Sequence, residues 1–280
     1  MKTILFTTDF SEVSENAARY LMGMAQQVPV SHIVLLHSYA STGPDIIYLS
    51  DFTEPVIVEK EEAHSDSLQR LKSFRTFLLN INKSDIPVSA VSDERSLATA
   101  IPALIEEYSI DMVVSGIEPA GNAADESAGA KTLKIALELE VPVLIVPAGA
   151  TYQPVSTVLL ACDLKNVNST VPKRVLTGLL KELNARLLVV NIEPEDTHES
   201  EENTQGQSEL HKALESTGAE FYFLEYKDVI NGIIGFAEEK KVQMIISIPK
   251  KHGIISRILH PGVTKKLAAA SPLPIMLLHN

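Results

Sequence analysis

The feature that most constrains the fold of this chain is an internal repeat, because two copies of one segment imply two copies of one supersecondary frame. Residues 3–9 (TILFTTD) align with residues 157–163 (TVLLACD), and residues 33–37 (IVLLH) align with residues 187–191 (LLVVN). Both pairs of segments are separated by 154 positions in the 280-residue chain. The constant separation predicts that the two halves share the order of their first elements.

The repeat continues toward the end of each half at a shorter separation. Residues 111–115 (DMVVS) align with residues 243–247 (QMIIS), and residues 141–146 (VPVLIV) align with residues 273–278 (LPIMLL), both at 132 positions. Because the separation falls by 22 residues, the first half carries an insertion of that size between its second and third strands. We expect the insertion within residues 40–62.

Each half alternates short apolar runs with amphipathic stretches. The runs are rich in Val, Ile and Leu without alternating polar residues, which is typical of parallel strands buried on both faces. The amphipathic stretches of the first half predict helices over residues 14–26, 63–79, 97–108 and 131–140. The order β-α-β-α-β-α-β-α-β, occurring twice, predicts an α/β fold of two doubly wound domains with five-stranded parallel sheets. The domains are expected at residues 1–149 and 153–280, with a short linker between them.

The composition indicates a cytoplasmic globular protein without nucleic-acid or membrane partners. The formal net charge of −12 disfavours binding to nucleic acid or anionic lipid. No apolar run approaches the roughly 18 residues that a membrane span needs. The one cysteine, Cys162, excludes an internal disulfide and fits a reducing compartment. The charge is uneven, since residues 1–150 carry a net charge of −11 and residues 151–280 carry −1.

Ligands of open α/β sheets bind beyond the carboxyl ends of the strands, where the strand order switches, and three loops of each half reach that crevice. The loop after the first strand carries Thr8 and Asp9. Asp9 is interpreted either as a helix N-cap or as an acceptor for a ribose or base edge. The loop after the second strand carries Ser38 and His37, and the histidine is interpreted as packed or hydrogen-bonded at the strand end.

The third loop follows the fourth strand and runs into the last helix of the half. In the first half it contains Gly116 and the run of residues 129–132 (GAKT). Glycines before a helix let backbone N–H groups approach a phosphate, and the helix N-terminus favours the anion. Asp125 and Glu126 in the same loop would repel a triphosphate, so glycines that serve only the loop conformation are the alternative.

The corresponding loop of the second half is basic rather than glycine-rich. Its cationic side chains would hold an anion by charge instead of by backbone amides, and a solvated helix face is the alternative. These side chains are Lys250, Lys251, His252, Arg257 and His260. Earlier in this half, Asp163 repeats Asp9, and Cys162 is interpreted as a small core residue rather than a nucleophile.

Taken together, these segments resemble the universal stress protein family over essentially the whole chain, in its tandem two-domain form. The resemblance rests on residues 4–11, 35–37, 111–116 and 141–147. It implies that each domain has the flavodoxin-like, adenine nucleotide alpha hydrolase-like strand order 3-2-1-4-5. Members of the family often pair through their last strands. By that analogy, residues 143–146 and 275–278 should pair antiparallel across a pseudo-two-fold axis.

The family's ATP-binding members carry G-x2-G-x9-G-[S/T] in the third loop. In this chain Gly116 and Gly129 keep the outer spacing, whereas Pro119 and Ala130 replace the second glycine and the final hydroxyl residue. The second half keeps no glycine at the first three positions. The resemblance therefore places any adenine nucleotide, ATP or AMP, in the first half. The candidate binding residues are Thr8, Asp9, Ser38, Gly116, Gly129, Ala130, Lys131 and Thr132.

Three functions are compatible with these observations. The favoured hypothesis is a non-catalytic stress-response protein that acts through an adenine nucleotide or through protein partners. A scaffold or dimerisation module without a small ligand, self-associating through the final strands, is the second. A weakly ATP-hydrolysing enzyme is the third, disfavoured because the H-x-G-H and Ser-Gly-Gly-x-Asp-Ser signatures of related enzymes are absent, as is a metal-ligand cluster. Residues 45–49 of the insertion would form either a lid over the crevice or an irregular surface loop.

Overall fold

The computed structural model describes residues 2–39, 60–83, 85–118, 128–193, 201–249 and 261–279. Most of the expected insertion, and the basic side chains at residues 250–260, lie outside the described residues. The described part contains one mixed sheet with helices packed on both of its faces.

Ten strands form the sheet, five from each half of the chain. The strands are β1 (Lys2–Thr7), β2 (Val30–Ser38), β3 (Val88–Asp93), β4 (Met112–Ile117), β5 (Val143–Pro147), β6 (Thr157–Ala161), β7 (Arg186–Glu193), β8 (Glu220–Glu225), β9 (Met244–Ser247) and β10 (Ile275–Leu277).

Nine α-helices connect these strands in the described residues. They are α1 (Glu12–Met24), α2 (Lys60–Ile81), α3 (Leu97–Tyr108), α4 (Ala128–Ala136), α5 (Val167–Thr170), α6 (Lys173–Leu183), α7 (Glu201–Leu214), α8 (Val229–Glu239) and α9 (Pro261–Ala270). All four helices predicted in the first half are present, and α3 has the predicted bounds.

The strand order across the sheet is β3-β2-β1-β4-β5-β10-β9-β6-β7-β8. Each half therefore has the predicted order 3-2-1-4-5, and neighbouring strands within a half run parallel. The two halves meet where β5 and β10 pair antiparallel, with Ile145 opposite Ile275, Leu144 opposite Met276 and Val143 opposite Leu277. The expected pairing of the final strands is confirmed, and it occurs within one chain.

Side chains of the strands form two apolar layers, one on each face of the sheet, as expected for strands buried on both faces. Ile4 and Phe6 of β1 point into the layer beneath α1 and α2, which continues under α5, α6 and α7 of the second half. Leu5 points into the opposite layer, beneath α3, α4, α8 and α9. Because both layers run across the β5–β10 pair, the packing is continuous between the halves.

The helical segment after the first strand differs between the two halves. In the first half it is a single helix, whereas in the second half it is divided into α5 and α6. Pro172 lies at the start of α6, where the missing N–H of a proline is tolerated and its fixed φ suits a helix entry. The expected order of strands and helices is present in both halves, and Pro172 divides the helical segment between β6 and β7 into two.

Among the described residues, no helix combines the length and the apolar character needed to cross a membrane.

Candidate functional site

The carboxyl ends of β1, β2 and β4 in the first half form the edge of the sheet at which we predicted a ligand crevice from the sequence. β1 lies between β2 and β4 in the sheet, and the chain leaves these strands for helices on opposite faces. This is the point where strand order switches in a doubly wound sheet, and loops diverge there to leave a crevice.

A buried cluster of three hydroxyl groups joins the crevice to helix α4. The Thr7 hydroxyl at the end of β1 donates to Ser115 Oγ of β4 at 2.8 Å. The same Thr7 oxygen lies 3.3 Å from Thr132 Oγ1, in the second turn of α4. All three side chains are buried. Thr132, which the sequence offered as a binding residue, therefore fixes the start of α4 against the ends of β1 and β4.

The first turn of α4 contains Gly129 and Ala130, and Lys131 follows with an exposed side chain. The first N–H groups of a helix have no partner within the helix, and they carry the positive end of its dipole. The helix begins at Ala128, three residues before the predicted start, so the glycine is in the helix rather than before it. The backbone at Gly129 and Ala130 is thus the part of the site with the chemistry to bind an anion.

Thr8 and Asp9 hold the loop that follows β1. The backbone N–H of Thr8 donates to the Leu36 carbonyl at 2.9 Å, and Thr8 Oγ1 accepts from the Phe10 N–H at 2.9 Å. Phe10 has a φ of 65°, in the left-handed region that a residue with a side chain enters rarely. The bond from Thr8 and the packing of the Phe10 ring support this conformation.

The Asp9 carboxylate organises the N-terminus of α1. Asp9 Oδ1 accepts from the hydroxyl groups of Ser11 and Ser14, at 2.6 Å each, and from the Ser11 N–H at 3.1 Å. The interpretation of Asp9 as the N-cap is wrong, because Ser11 caps α1 by accepting from the Ser14 N–H at 3.3 Å. Asp9 lies two residues before the N-cap, where its negative charge interacts favourably with the positive end of the helix dipole.

Gly116 of β4 packs closely against helix α1. A Cβ built at this position would lie 2.7 Å from the Val13 carbonyl oxygen and 3.0 Å from Val13 Cγ1. The carbonyl belongs to the backbone of α1, so it cannot move aside as a flexible side chain would. A glycine at position 116 lets α1 approach β4 closely beside the crevice. This position is also one of the two outer glycine positions of the family motif.

Ser38 lies at the end of β2 and turns away from the crevice loops toward β3. Its hydroxyl donates to the Arg95 carbonyl at 2.8 Å. Arg95 in turn forms an ion pair with Asp93, whose carboxylate oxygen Oδ2 lies 2.5 Å from Arg95 Nη2. The hydrogen bond from the guanidinium lowers the pKa of Asp93 despite its burial. Ser38 thereby fixes the loop after β3.

His37 begins a chain of hydrogen bonds that links β2 to helix α2. His37 Nδ1 lies 2.8 Å from Ser67 Oγ, and Ser67 Oγ lies 2.7 Å from Ser92 Oγ on β3. Ser92 Oγ is 3.5 Å from Nδ1 of His64, an exposed residue of α2. The histidine is therefore hydrogen-bonded at the strand end. Nothing in the sequence pointed to its partners, because Ser67 and Ser92 are separated from it by 30 and 55 positions.

The environment of His37 favours its neutral form. Its ring packs against that of Phe10 with 4.4 Å between centroids and an interplanar angle of 46°, and the Arg70 guanidinium lies 4.5 Å from the centroid of the same Phe10 ring. Burial, reinforced by Arg70, lowers the pKa of His37 from 6.5 to about 4, with Asp9 and Asp66 acting in the opposite direction. His37 is therefore uncharged near neutral pH.

The second half repeats the backbone of this site with different side chains. The N–H of Cys162 donates to the Val190 carbonyl at 3.0 Å, as Thr8 donates to Leu36 in the first half. Asn191, at the position of His37, donates to the Cys162 carbonyl at 3.0 Å. Cys162 and Asp163 are both buried. Burial of the thiol agrees with the interpretation of Cys162 as a core residue.

The hydroxyl cluster is reduced in the second half. Ala161 stands at the position of Thr7, and Ser247 Oγ lies 3.3 Å from Thr264 Oγ1 of α9. The basic side chains that the sequence proposed as an anion site, from Lys250 to His260, lie outside the described residues. No group of three or more metal-ligating side chains occurs within the described ranges.

Comparison with known proteins identifies a family for the first half and a fold for the whole. A family model described as the universal stress protein family matches residues 1–147. The comparison with curated proteins gave no match.

Three solved structures illustrate the likeness of fold. A universal stress protein from Archaeoglobus fulgidus superposes with a TM-score of 0.67 at 15% identity, covering 100% of this chain and 96% of that one. A putative universal stress protein from Pseudomonas aeruginosa gives a TM-score of 0.59 at 14% identity, with 99% and 93% covered. The cytoplasmic domain of a prokaryotic cation chloride cotransporter gives 0.50 at 13% identity, with 99% and 94% covered.

Proposed function

The chain belongs to the universal stress protein family, and on that premise we propose that it is a non-catalytic stress-response protein that binds an adenine nucleotide, ATP or AMP, in its first half. We further propose that it is a tandem protein, with domains at residues 1–149 and 153–280. The second domain supplies the other five strands of the sheet. It keeps no glycine at the first three positions of the motif, so we do not expect a glycine loop there to bind a nucleotide. The cytoplasm is the proposed location, with protein partners rather than nucleic acid or membrane.

The observation that carries the proposal is the position of helix α4. The hydroxyl groups of Thr7 and Ser115 hold Thr132 at the carboxyl ends of β1 and β4. This contact brings the first turn of α4, with Gly129 and Ala130, to the switch point of the sheet. A phosphate there would meet the positive end of the helix dipole and the free N–H groups of the first turn.

Charge and loop geometry support the same site. Lys131, near the start of α4, has an exposed side chain. Its ammonium group could form a charge-assisted hydrogen bond with a phosphate bound at the helix N-terminus. The loop of Thr8 and Asp9 is held by several hydrogen bonds, so it is ordered before a ligand arrives. Ordering a loop in advance lowers the entropy cost of binding. The base or ribose would lie against this loop and the end of β2.

Calorimetric titration with ATP, ADP and AMP tests the proposal. We expect saturable binding to the intact protein and its loss in Gly129→Glu, because the new carboxylate would repel the phosphate and obstruct the first turn of α4. The matched control is Gly262→Glu, the substitution in the first turn of α9 of the second half. Gly262→Glu should leave binding unchanged. Binding that survives Gly129→Glu but not Gly262→Glu would assign the nucleotide to the second half and contradict the proposal.

A scaffold without a small ligand is the second candidate, and one observation favours it. Thr8 Oγ1, Asp9 Oδ1 and Ser38 Oγ already form hydrogen bonds with groups of the protein itself. Absence of binding by all three nucleotides at millimolar concentration would support this function. Phosphate release from ATP, measured on the same preparation, separates nucleotide binding from the third alternative, weak ATP hydrolysis.

The β5–β10 pair also limits how the protein would self-associate. β5 lies between β4 and β10, and β10 lies between β5 and β9, so both edges of each strand are occupied. We propose that any dimer of this chain uses a surface other than its final strands. The outer strands β3 and β8 are the sheet edges in the described structure.

A further inference from the structure

Strand β8 is an outer strand of the sheet, and it differs from β3, the strand at the opposite edge. β8 pairs in parallel with β7, and no other strand of the described residues lies beside it. Phe223 of β8 is 38% exposed and Tyr226, directly after the strand, is 39% exposed, whereas β3 has no exposed large apolar side chain. An exposed apolar edge strand can pair with a strand of another chain.

β8 also lacks the features that commonly protect an edge strand from such pairing. Its residues, Glu220–Glu225, include no proline and no lysine, and the register against β7 continues without a bulge. The charged groups of the strand are the carboxylates at its two ends. A partner strand must neutralise these carboxylates or keep them away from other acids, and this requirement limits the possible registers.

The backbone hydrogen bonds of β8 determine which of its groups face outward. The Tyr226 N–H donates to the Glu193 carbonyl of β7 at 2.9 Å. Because the N–H groups of a strand alternate in direction, those of Phe221, Phe223 and Glu225 point away from β7. The N–H and carbonyl groups of these three residues are therefore the ones that can pair with a further strand.

The side chains of β8 alternate between helices α7 and α8. The centroid of the His211 ring of α7 lies 3.9 Å from that of Phe221 and 6.3 Å from that of Phe223. On the other face, the Tyr222 ring lies 4.8 Å from the Phe236 ring of α8, between centroids. The odd-numbered positions of β8 thus face α7, and the even-numbered positions face α8.

A groove of about 330 Å³ lies between the end of α7 and the start of β8. Ala219 and Phe221 line it on the strand side, and His211, Lys212 and Glu215 line it on the helix side. The side chains of Lys212 and Glu215 are both exposed. Because the chain turns from Glu215 into β8 within a few residues, this acid lies toward Ala219. Lys212, which is next to His211, lies toward Phe221.

We propose that β8 of one chain pairs antiparallel with β8 of a second copy, about a two-fold axis that passes beside Phe223. An interface around a two-fold axis is self-complementary, so each contact occurs twice. Phe223 lies opposite its own counterpart, and both exposed rings become covered. Phe221 lies opposite Glu225 of the partner subunit, and that carboxylate is then close to the opposite charge of Lys212.

Charge favours this register over the neighbouring one. In the proposed register, Lys227 of the partner subunit lies opposite Ala219 and meets the carboxylate of Glu215. If the axis passed beside Tyr222 instead, Glu225 of the partner subunit would lie opposite Ala219 and would be repelled by Glu215. The proposed register therefore brings opposite charges together along the groove, whereas the neighbouring register brings two acids together.

Sedimentation equilibrium of the full chain tests the proposal. We expect the mass to rise from 30.5 kDa toward twice that value between micromolar and millimolar concentration. Phe223→Lys places two ammonium groups at the axis and should weaken the dimer at least tenfold. Leu68→Lys, at an exposed apolar position of α2, is the matched control and should dimerise as the wild type does. A chain that stays monomeric at millimolar concentration, or a dimer that Phe223→Lys leaves unchanged, would overturn the proposal.

Charge reversal tests the register and separates a lost contact from a misfolded variant. Glu225→Lys and Lys212→Glu should each weaken the dimer about fivefold, because each places like charges together twice in the dimer. The double variant restores opposite charges and should dimerise within about twofold of the wild type. A double variant that is as weak as the single variants, or single variants that dimerise like the wild type, would overturn the proposed pairing.

Discussion

The two halves of this protein share a frame but differ in what they place at the carboxyl edge of the sheet. In both, the residue after the first strand donates its N–H to the second strand, at 2.9 Å for Thr8 and 3.0 Å for Cys162. The first half adds a histidine chain at His37, whereas the second has Asn191 bonded to a backbone carbonyl. The backbone hydrogen bonds are thus the same in both halves, whereas the side chains differ. The comparison distinguishes the backbone contacts that maintain the fold from the side chains that are available for a ligand.

The line where the halves meet gives the largest expected effect. Leu144 and Met276 occupy equivalent positions, face each other across the antiparallel pair and are almost fully buried. We predict that Leu144→Ala and Met276→Ala each lower the free energy of unfolding by about 3–4 kcal/mol, from lost transfer energy and a cavity. Denaturant unfolding measures both.

Leu79→Ala is the control for these variants, because Leu79 is 41% exposed on α2. Its cost should stay near 0.5 kcal/mol, as is usual for surface positions. A cost for Leu144→Ala as small as that of Leu79→Ala would show that the two final strands do not form a packed pair.

The next prediction transfers a residue of the second half to the first. Gly116 corresponds to Ile248, and a side chain at position 116 would meet the Val13 carbonyl at 2.7 Å. We predict that Gly116→Ile destabilises the protein by about 3 kcal/mol, because α1 must move away from β4. Thermal unfolding provides the measurement.

Gly149→Ala is the matched control, since a Cβ at that position has nothing within 4 Å. It should change the melting temperature little. If Gly116→Ile were equally mild, α1 would not approach β4 as closely as described, and Gly116 would be retained for another reason.

The hydroxyl cluster offers a third comparison. Thr7→Ala gives the first half the alanine that the second half has at Ala161. We predict a loss of about 1–2 kcal/mol, because Ser115 and Thr132 lose their shared partner while remaining buried. Thr76→Ala, at an exposed helix position, should be neutral by the same unfolding assay. A neutral Thr7→Ala would mean that the cluster does not hold α4.

The smallest effect concerns pH. The pKa of His37 is lowered from 6.5 to about 4 in the folded protein, so the fold favours the neutral ring. That contribution to stability is complete above pH 6.5 and is lost as the pH falls toward 4. Because the ring is partly solvated, we expect a loss of only about 1 kcal/mol over this interval.

His37→Asn, which copies Asn191 of the second half, isolates the contribution of the ring. The variant should show a flatter decline in the free energy of unfolding between pH 6.5 and 4 than the wild type. Parallel declines in the two proteins would show that His37 does not titrate as its surroundings indicate.

The sequence predicted the frame better than the site, for a physical reason. Apolar runs and helical spacing are local signals, so the strands and the bounds of α3 could be obtained from the sequence. The start of α4 was placed too late, because Thr132 of this helix contacts Thr7, which is 125 positions away in the chain. The partners of His37 could not be predicted either, because hydrogen bonds between distant segments leave no periodic pattern.

Hydrogen exchange of the intact protein with and without ATP tests the difference between the halves most directly. We expect slower exchange in residues 8–14 and 129–133 when ATP is present. We expect no change in the equivalent segments at residues 162–168 and 261–265, because Ala161 and Cys162 replace Thr7 and Thr8 of the first half. Protection that appears equally in both halves, or only in the second, would show that the first half is not the nucleotide-binding half.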